Sequence, residues 1–227
     1  MKKAARIALA VFGAPALLLL LSFVNHRVQL GREEGLYVPL GTMVEVDGGQ
    51  MSVYTGGGGT QTLVFLSGSG TCSPILDFKA LYSQLSDGYR VAVPERFGYG
   101  FSDMTGLPRD LDTVLEQTRA ALAGAGLSPP YVLCPHSMSG LEALYWAQKY
   151  PDEGSAIIGL DMSVPAAYDA MDISPALLRL LQFGSAAGLT RFLPIASDSA
   201  AIQSGALLDG EKDIYRAVFY RRTMTGD

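Results

Sequence analysis

Histidine, cysteine and charge are all scarce in this sequence. Two histidines serve 227 residues, and 17% of the side chains are charged. A chain that is 48% apolar is not intrinsically disordered, because it can bury a core that offsets its ordering entropy. Basic residues number 17 against 22 acidic ones, for a formal net charge of −5. That balance speaks against a nucleic-acid partner. The two cysteines, Cys72 and Cys134, form no C-x-x-C and no zinc-ligand spacing. Two free, partly buried thiols are the expectation, with a disulfide between them the alternative. The glycine run Gly56–Gly59 lacks a following Lys-Ser/Thr, so it is not a phosphate-cradling loop. No metal and no cofactor are expected. No period of about 20–50 residues is visible, which excludes a solenoid or propeller.

What the chain does have is one long apolar run. Lys2, Lys3 and Arg6 precede Ile7–Val24, a stretch without charge that Gly13, Pro15 and Ser22 alone interrupt. As a helix it spans about 27 Å, enough to cross a hydrocarbon core. It is long for a cleaved signal peptide, and no small-x-small cleavage site follows it. Residues 1–24 therefore read as an uncleaved signal-anchor, with a cleaved signal peptide the alternative. The basic flank places the N-terminus in the cytoplasm and the rest of the chain outside. Residues 25–41 read as a linker. Without its first 24 residues the chain carries a formal −8.

The remainder alternates strands and helices. Thr42–Val46 and Gln50–Thr55 flank Asp47-Gly48-Gly49, a hairpin pattern. Thr62–Leu66, Tyr89–Val93, Tyr131–Cys134 and Ser155–Leu160 are short apolar runs, the mark of strands buried on both faces. Pro74–Leu85, Asp112–Ala123 and Gly140–Lys149 have helical spacing, with Thr113 and Glu116 spaced as a capping box. Such alternation predicts an α/β fold, a mostly parallel doubly wound sheet with an antiparallel hairpin at one edge. From Met162 onward helical stretches (Tyr168–Asp172, Pro175–Gly188, Arg191–Leu193, Asp209–Thr223) follow without a convincing strand. Ligands in such sheets bind beyond the carboxyl ends of the strands. The loops after Leu66, Val93, Cys134 and Leu160 are therefore the candidate site.

The loop after Cys134 reads Pro135-His136-Ser137-Met138-Ser139-Gly140. A serine on a tight turn between a buried strand and a helix holds its hydroxyl above the sheet, and the next backbone N–H points into the same space. A plain serine N-cap is the alternative. The segment resembles the G-x-S-x-G nucleophile elbow of the α/β-hydrolase superfamily, with His136, Ser137, Met138 and Gly140 matching and Pro135 and Ser139 replacing glycines. Three further stretches resemble that family in order and spacing. They are Leu66-Ser67-Gly68-Ser69-Gly70 (Ser67 in place of the usual His), Pro94-Glu95-Arg96-Phe97-Gly98-Tyr99-Gly100-Phe101-Ser102, and the helix ending Ala147–Pro151 before strand Ala156–Leu160. The likeness covers roughly residues 42–165.

The resemblance implies an α/β-hydrolase core over 42–161 and a helical cap over 162–227. It implies Ser137 as nucleophile, the Met138 N–H as one oxyanion donor and the Ser69 N–H as the other, with Gly70 the near alternative. Asp161, at a strand end, is the acid candidate, beside the alternative of an ordinary strand-end carboxylate. Glu95 and Arg96 read as braces of their loop. Cys134 reads as a buried structural thiol. The partner would be a small acyl substrate, apolar if Leu177, Leu178, Leu180, Leu181, Phe183, Leu189, Phe192 and Leu193 line the pocket. The family's base is a histidine after the last strand, and neither His26 nor His136 occupies such a place. The expectation is a C-terminally truncated chain of poor turnover, still lacking two strands and a closing helix. The first functional reading is a membrane-anchored serine hydrolase acting on an ester, thioester or amide. The second is a non-catalytic binding domain of the same fold, and an acyltransferase or peptidase is a third.

Overall fold

The computed structural model describes residues 9–168 and 174–223. The basic flank Lys2, Lys3 and Arg6, the start of the apolar run, most of the helical stretch expected at Tyr168–Asp172, and the last four residues lie outside the described residues. Seven strands form the sheet: β1 (Thr42–Val46), β2 (Gly49–Gly56), β3 (Thr62–Leu66), β4 (Arg90–Pro94), β5 (Tyr131–Ser137), β6 (Gly154–Ile157) and β7 (Leu160–Met162). Their order is β1-β2-β4-β3-β5-β6, and β7 continues beside β5. β1, β2 and β4 pair antiparallel in succession, and every other pairing is parallel.

Local chemistry explains these elements. Asp47 (φ 49°) and Gly48 (φ 80°) turn the β1–β2 hairpin in the left-handed region that a two-residue hairpin needs. β3 is buried throughout because helices cover both of its faces. Its alternate residues divide between two cores. Val64 and Leu66, with Ala92 and Leu133, face Leu115, Leu122 and Trp146. Leu63 and Phe65, with Val91, Val93 and Cys134, face Ile75 and Tyr82. The period of two along the strand sets that division.

The helices are α1 (Ala14–Arg32), α2 (Pro74–Asp77), α3 (Lys79–Tyr82), α4 (Leu111–Gly124), α5 (Ser139–Lys149), α6 (Pro165–Tyr168), α7 (Pro175–Ala186), α8 (Ala200–Gln203) and α9 (Asp209–Arg222). Several differ from expectation. The helix expected over Pro74–Leu85 divides at Phe78 into α2 and α3. α4 is capped by Asp110, whose Oδ1 accepts the Thr113 N–H at 3.0 Å, rather than by a Thr113–Glu116 box. The strand expected over Ser155–Leu160 is two short strands, β6 and β7. No strand follows β7 among the described residues. Both cysteines are buried and are not joined in a disulfide.

The largest difference lies at the N-terminus. Residues 25–32, expected as the start of a linker, continue α1 without a break, and Glu34–Leu36 adds a 3-10 turn. Val11–Arg32 is long and apolar enough to cross a membrane, with a mean hydropathy of 1.5. Its far end is docked onto the helical excursion. Ser22 Oγ donates to the Ala187 carbonyl at 2.6 Å. The Arg191 guanidinium donates to His26 Nδ1 at 2.9 Å and to both oxygens of Glu33 at 2.7 Å. Gly188 permits this approach. Its φ is 77°, and a Cβ there would lie 2.4 Å from His26 Cβ.

Gly188→Val therefore has no strain-free position. It is expected to destabilise the chain by about 1–3 kcal/mol and to open residues 33–41 to protease. Unchanged melting and unchanged proteolysis would show that α1 is not seated on Gly188.

Candidate active site

The candidate site stands at the carboxyl ends of β3 and β5. β5 ends in Ser137, which has φ 50°, and α5 starts two residues later. A non-glycine residue in the left-handed region carries backbone strain, held here by its surroundings. Two glycines permit the turn. A Cβ on Gly140 would lie 2.1 Å from the Ser163 carbonyl, so the helix can pass β7 this closely only with glycine. A Cβ on Gly68 would lie 2.8 Å from Ser137 Cβ and 3.1 Å from His136 Nδ1. The 67–70 loop thus lies directly against the serine turn.

Ser139, which replaces the glycine of the resembled motif, is fully buried and occupied. Its Oγ accepts the His136 N–H at 2.9 Å and donates to the Leu66 carbonyl at 2.7 Å. The hydroxyl closes the turn and ties it to the end of β3. Sequence reading registered this residue as a departure and missed its structural use.

A buried ion pair joins the same two segments a second time. Arg96 Nη2 donates to the Ser67 carbonyl at 2.9 Å and to Glu142 Oε2 on α5 at 2.7 Å. Thr118 Oγ1 on α4 donates to the other Glu142 oxygen at 2.8 Å. Glu95 beside it is wholly buried and receives the N–H groups of Phe101 at 2.8 Å and Ile75 at 3.4 Å. Burial pushes its carboxyl up to about 7, against the opposing effect of those N–H groups. Both residues brace the loop after β4, as expected.

The other expected residues fall as follows. Met138 precedes α5 at its N-terminus, where the helix dipole and free N–H groups favour an anion. Ser69 and Gly70 form the exposed turn after Gly68, with Gly70 at φ 72°. Asp161 is exposed at φ 50°, between Leu160 and Met162, the residues that pair with His136 and Ser137. Its carboxylate has no hydrogen-bond partner among the described residues. His26 lies under Gly188, away from this turn. His136 sets its ring edge against Phe78, 6.4 Å between centroids. Neither histidine is hydrogen-bonded to Ser137. Cys134 is buried, and burial pushes its thiol up to about 11, against any role as a thiolate nucleophile.

A cavity of about 480 Å³ opens beside the turn, walled by Ser69, Gly70, Phe78, His136, Leu160 and Phe219. The excursion closes one side of it, because Ala196, Ala201, Leu207, Tyr215 and Phe219 pack on Cys72 and Leu76. Asp77 also lines this cavity. Tyr215 donates to its Oδ1 at 3.1 Å, and burial pushes its carboxyl up to about 6. Nothing in the sequence singled out Asp77, which reads there as an ordinary carboxylate in a first helical turn.

A family model described as alpha/beta hydrolase fold matches residues 61–207. The chain belongs to this family. YbdG of Bacillus subtilis (strain 168), an uncharacterized protein, is 44% identical over 219 residues, which is 93% of this chain and 67% of YbdG. Among solved structures, Est816, an N-acyl homoserine lactone degrading enzyme, is similar with a TM-score of 0.54 at 18% identity, covering 78% of this chain and 65% of Est816. The thioesterase domain from the curacin biosynthetic pathway is similar with a TM-score of 0.51 at 20% identity, covering 80% and 66%. Those two likenesses show the fold.

Arg96→Met leaves Glu142 charged and buried without its cation. The expected loss is about 3–5 kcal/mol. Adding Glu142→Leu is expected to recover most of it, since no buried charge then remains. Denaturant unfolding of the single and double variants checks this. Equal losses in both would mean that the pair does not act as a unit.

Proposed function

We propose that this protein is a membrane-anchored serine hydrolase that cleaves an ester, thioester or amide through an acyl-Ser137 intermediate. One observation carries the reading: Ser137 stands at φ 50° on the strand–helix turn, with Gly68 of the β3 loop packed against its Cβ. In this reading the Ser137 hydroxyl lies between the backbone N–H groups of the β3 loop and of the turn into α5. In the proposed reaction Ser137 Oγ attacks the substrate carbonyl and expels the alcohol, thiol or amine. The developing oxyanion is received by the Met138 N–H and by that of Ser69, or of Gly70. Water then hydrolyses the acyl-enzyme. The excursion serves as the cap, and the cavity beneath it takes the acyl group.

Attack requires a base to take the hydroxyl proton, and neither His26 nor His136 supplies one. The reading therefore requires a base other than these two histidines, and Asp161 is the candidate to orient it. The apolar segment 7–24 anchors the protein, and the domain lies outside the cytoplasm.

Hydrolysis of a p-nitrophenyl acyl ester tests the reading. Full-length protein from the native reading frame is expected to turn over at least 1000-fold faster than its Ser137→Ala variant, on the order of what loss of a nucleophile costs. Equal rates for the two would leave a binding domain as the better account.

A further inference from the structure

We propose that α7 and the Phe192–Ile195 turn form a second membrane-contacting element, which seats the excursion in the headgroup region of a phospholipid bilayer beside α1. The inference rests on the anchoring proposed above and adds a surface to it.

The first observation is the character of α7. Its sequence is PALLRLLQFGSA, and a helix of a water-soluble domain would turn such residues inward. Here they face out. Leu177 is 54% exposed, Leu180 64% and Phe183 59%, and Ser185 is the helix's one buried residue among those described. Phe192 at 68% and Leu193 at 51% are exposed as well, at the end of the 3-10 turn that follows α7. So many exposed large apolar side chains in one segment mark a contact site.

The second observation is its position along α1. Leu19, Leu20 and Phe23 share an apolar groove with Phe183, Ala186 and Ala187. The charge-free run ends at Val24. At 1.5 Å per residue, Leu19 lies about 7–8 Å inside that end. If α1 crosses the bilayer up to Val24, the end of α7 is carried to the same depth. Interfacial helices sit about 5–10 Å into the headgroup boundary. The Ser22–Ala187 hydrogen bond and the Arg191–Glu33 pair fix this relation, so α7 cannot stand clear while α1 is inserted.

The third observation is charge. Between Asp172 and Asp198 there is no acidic residue, and the basic ones are Arg179 and Arg191, the latter already paired with Glu33. The rest of the protein is acidic. A segment free of carboxylates suits an interface bearing phosphates. The docking of α7 beside the apolar run of α1 selects a lipid surface over a second copy of this chain.

Spin-label accessibility on the full chain in phosphatidylcholine–phosphatidylglycerol vesicles tests the proposal. Labels are attached singly at Leu180→Cys and Phe192→Cys, with Leu20→Cys reporting the anchor and Glu45→Cys the aqueous side. Cys72 and Cys134 are buried and shielded from the reagent. Leu177→Cys replaces either excursion variant should one fail to fold. The expected result is several-fold greater collision with oxygen than with a nickel chelate at 20, 180 and 192, and the reverse at 45. Aqueous behaviour at 180 and 192 with a lipid signature at 20 overturns this inference and leaves the anchor standing. Exclusion of both quenchers at 180 and 192 also overturns it, because protein then covers the surface. An aqueous signature at 20 overturns the anchoring itself.

Discussion

The Arg96 guanidinium is the point on which the top of the sheet depends. It is buried between the Ser67 carbonyl at the end of β3 and the Glu142 carboxylate on α5. Burying two charges costs desolvation that their attraction only partly offsets, so such a pair is a poor source of stability compared with packed hydrophobes. What it supplies is placement. The loop carrying Ser69 and the helix behind Ser137 are far apart in sequence, and this one cation meets both. Ser139 makes the same connection from the other side through Leu66. With the two ties in place, Gly68 is pressed against Ser137 and the turn holds its φ of 50°. Strain at the serine is thus sustained by a buried, hydrogen-bonded polar frame rather than by the turn itself.

Much of the core was legible in the sequence. Strands such as Thr62–Leu66 announce themselves because burial on both faces demands unbroken apolar residues. The hairpin turn was equally plain, because Asp47-Gly48 suits few other conformations. The elbow was legible because a serine between a buried strand and a helix, with Gly140 after it, admits few geometries. Ser139 and Asp77 were not legible. A serine in a loop and an aspartate in a helix are common, and their importance comes from partners distant in the chain, Leu66 and Tyr215. The exposed edge strand β6 was overextended in the reading, because periodicity cannot register the break at Ile158–Gly159 between it and β7.

The N-terminal helix shows the same limit. Hydropathy marks where an apolar run ends, not where a helix ends. Asn25, His26 and Arg27 stop the former, yet α1 continues to Arg32 because the excursion offers His26 and Glu33 a partner in Arg191. The consequence is mechanical. A helix that continues from its apolar segment into the folded domain transmits its orientation, whereas a flexible linker would not. The position of the excursion, and of the cavity it walls, is therefore coupled to whatever holds residues 11–24.

The central claim is that Ser137 is a nucleophile, and peptide mapping after reaction with a fluorophosphonate tests it most directly. Full-length protein from the native reading frame, incubated with the reagent and digested, should yield one phosphonylated peptide, modified at Ser137. The adduct should vanish in Gly68→Val, whose side chain would collide with the serine turn, while that variant's Arg96–Glu142 frame remains. Absence of an adduct from that full-length protein, or an adduct at another residue with Ser137 untouched, would contradict the account.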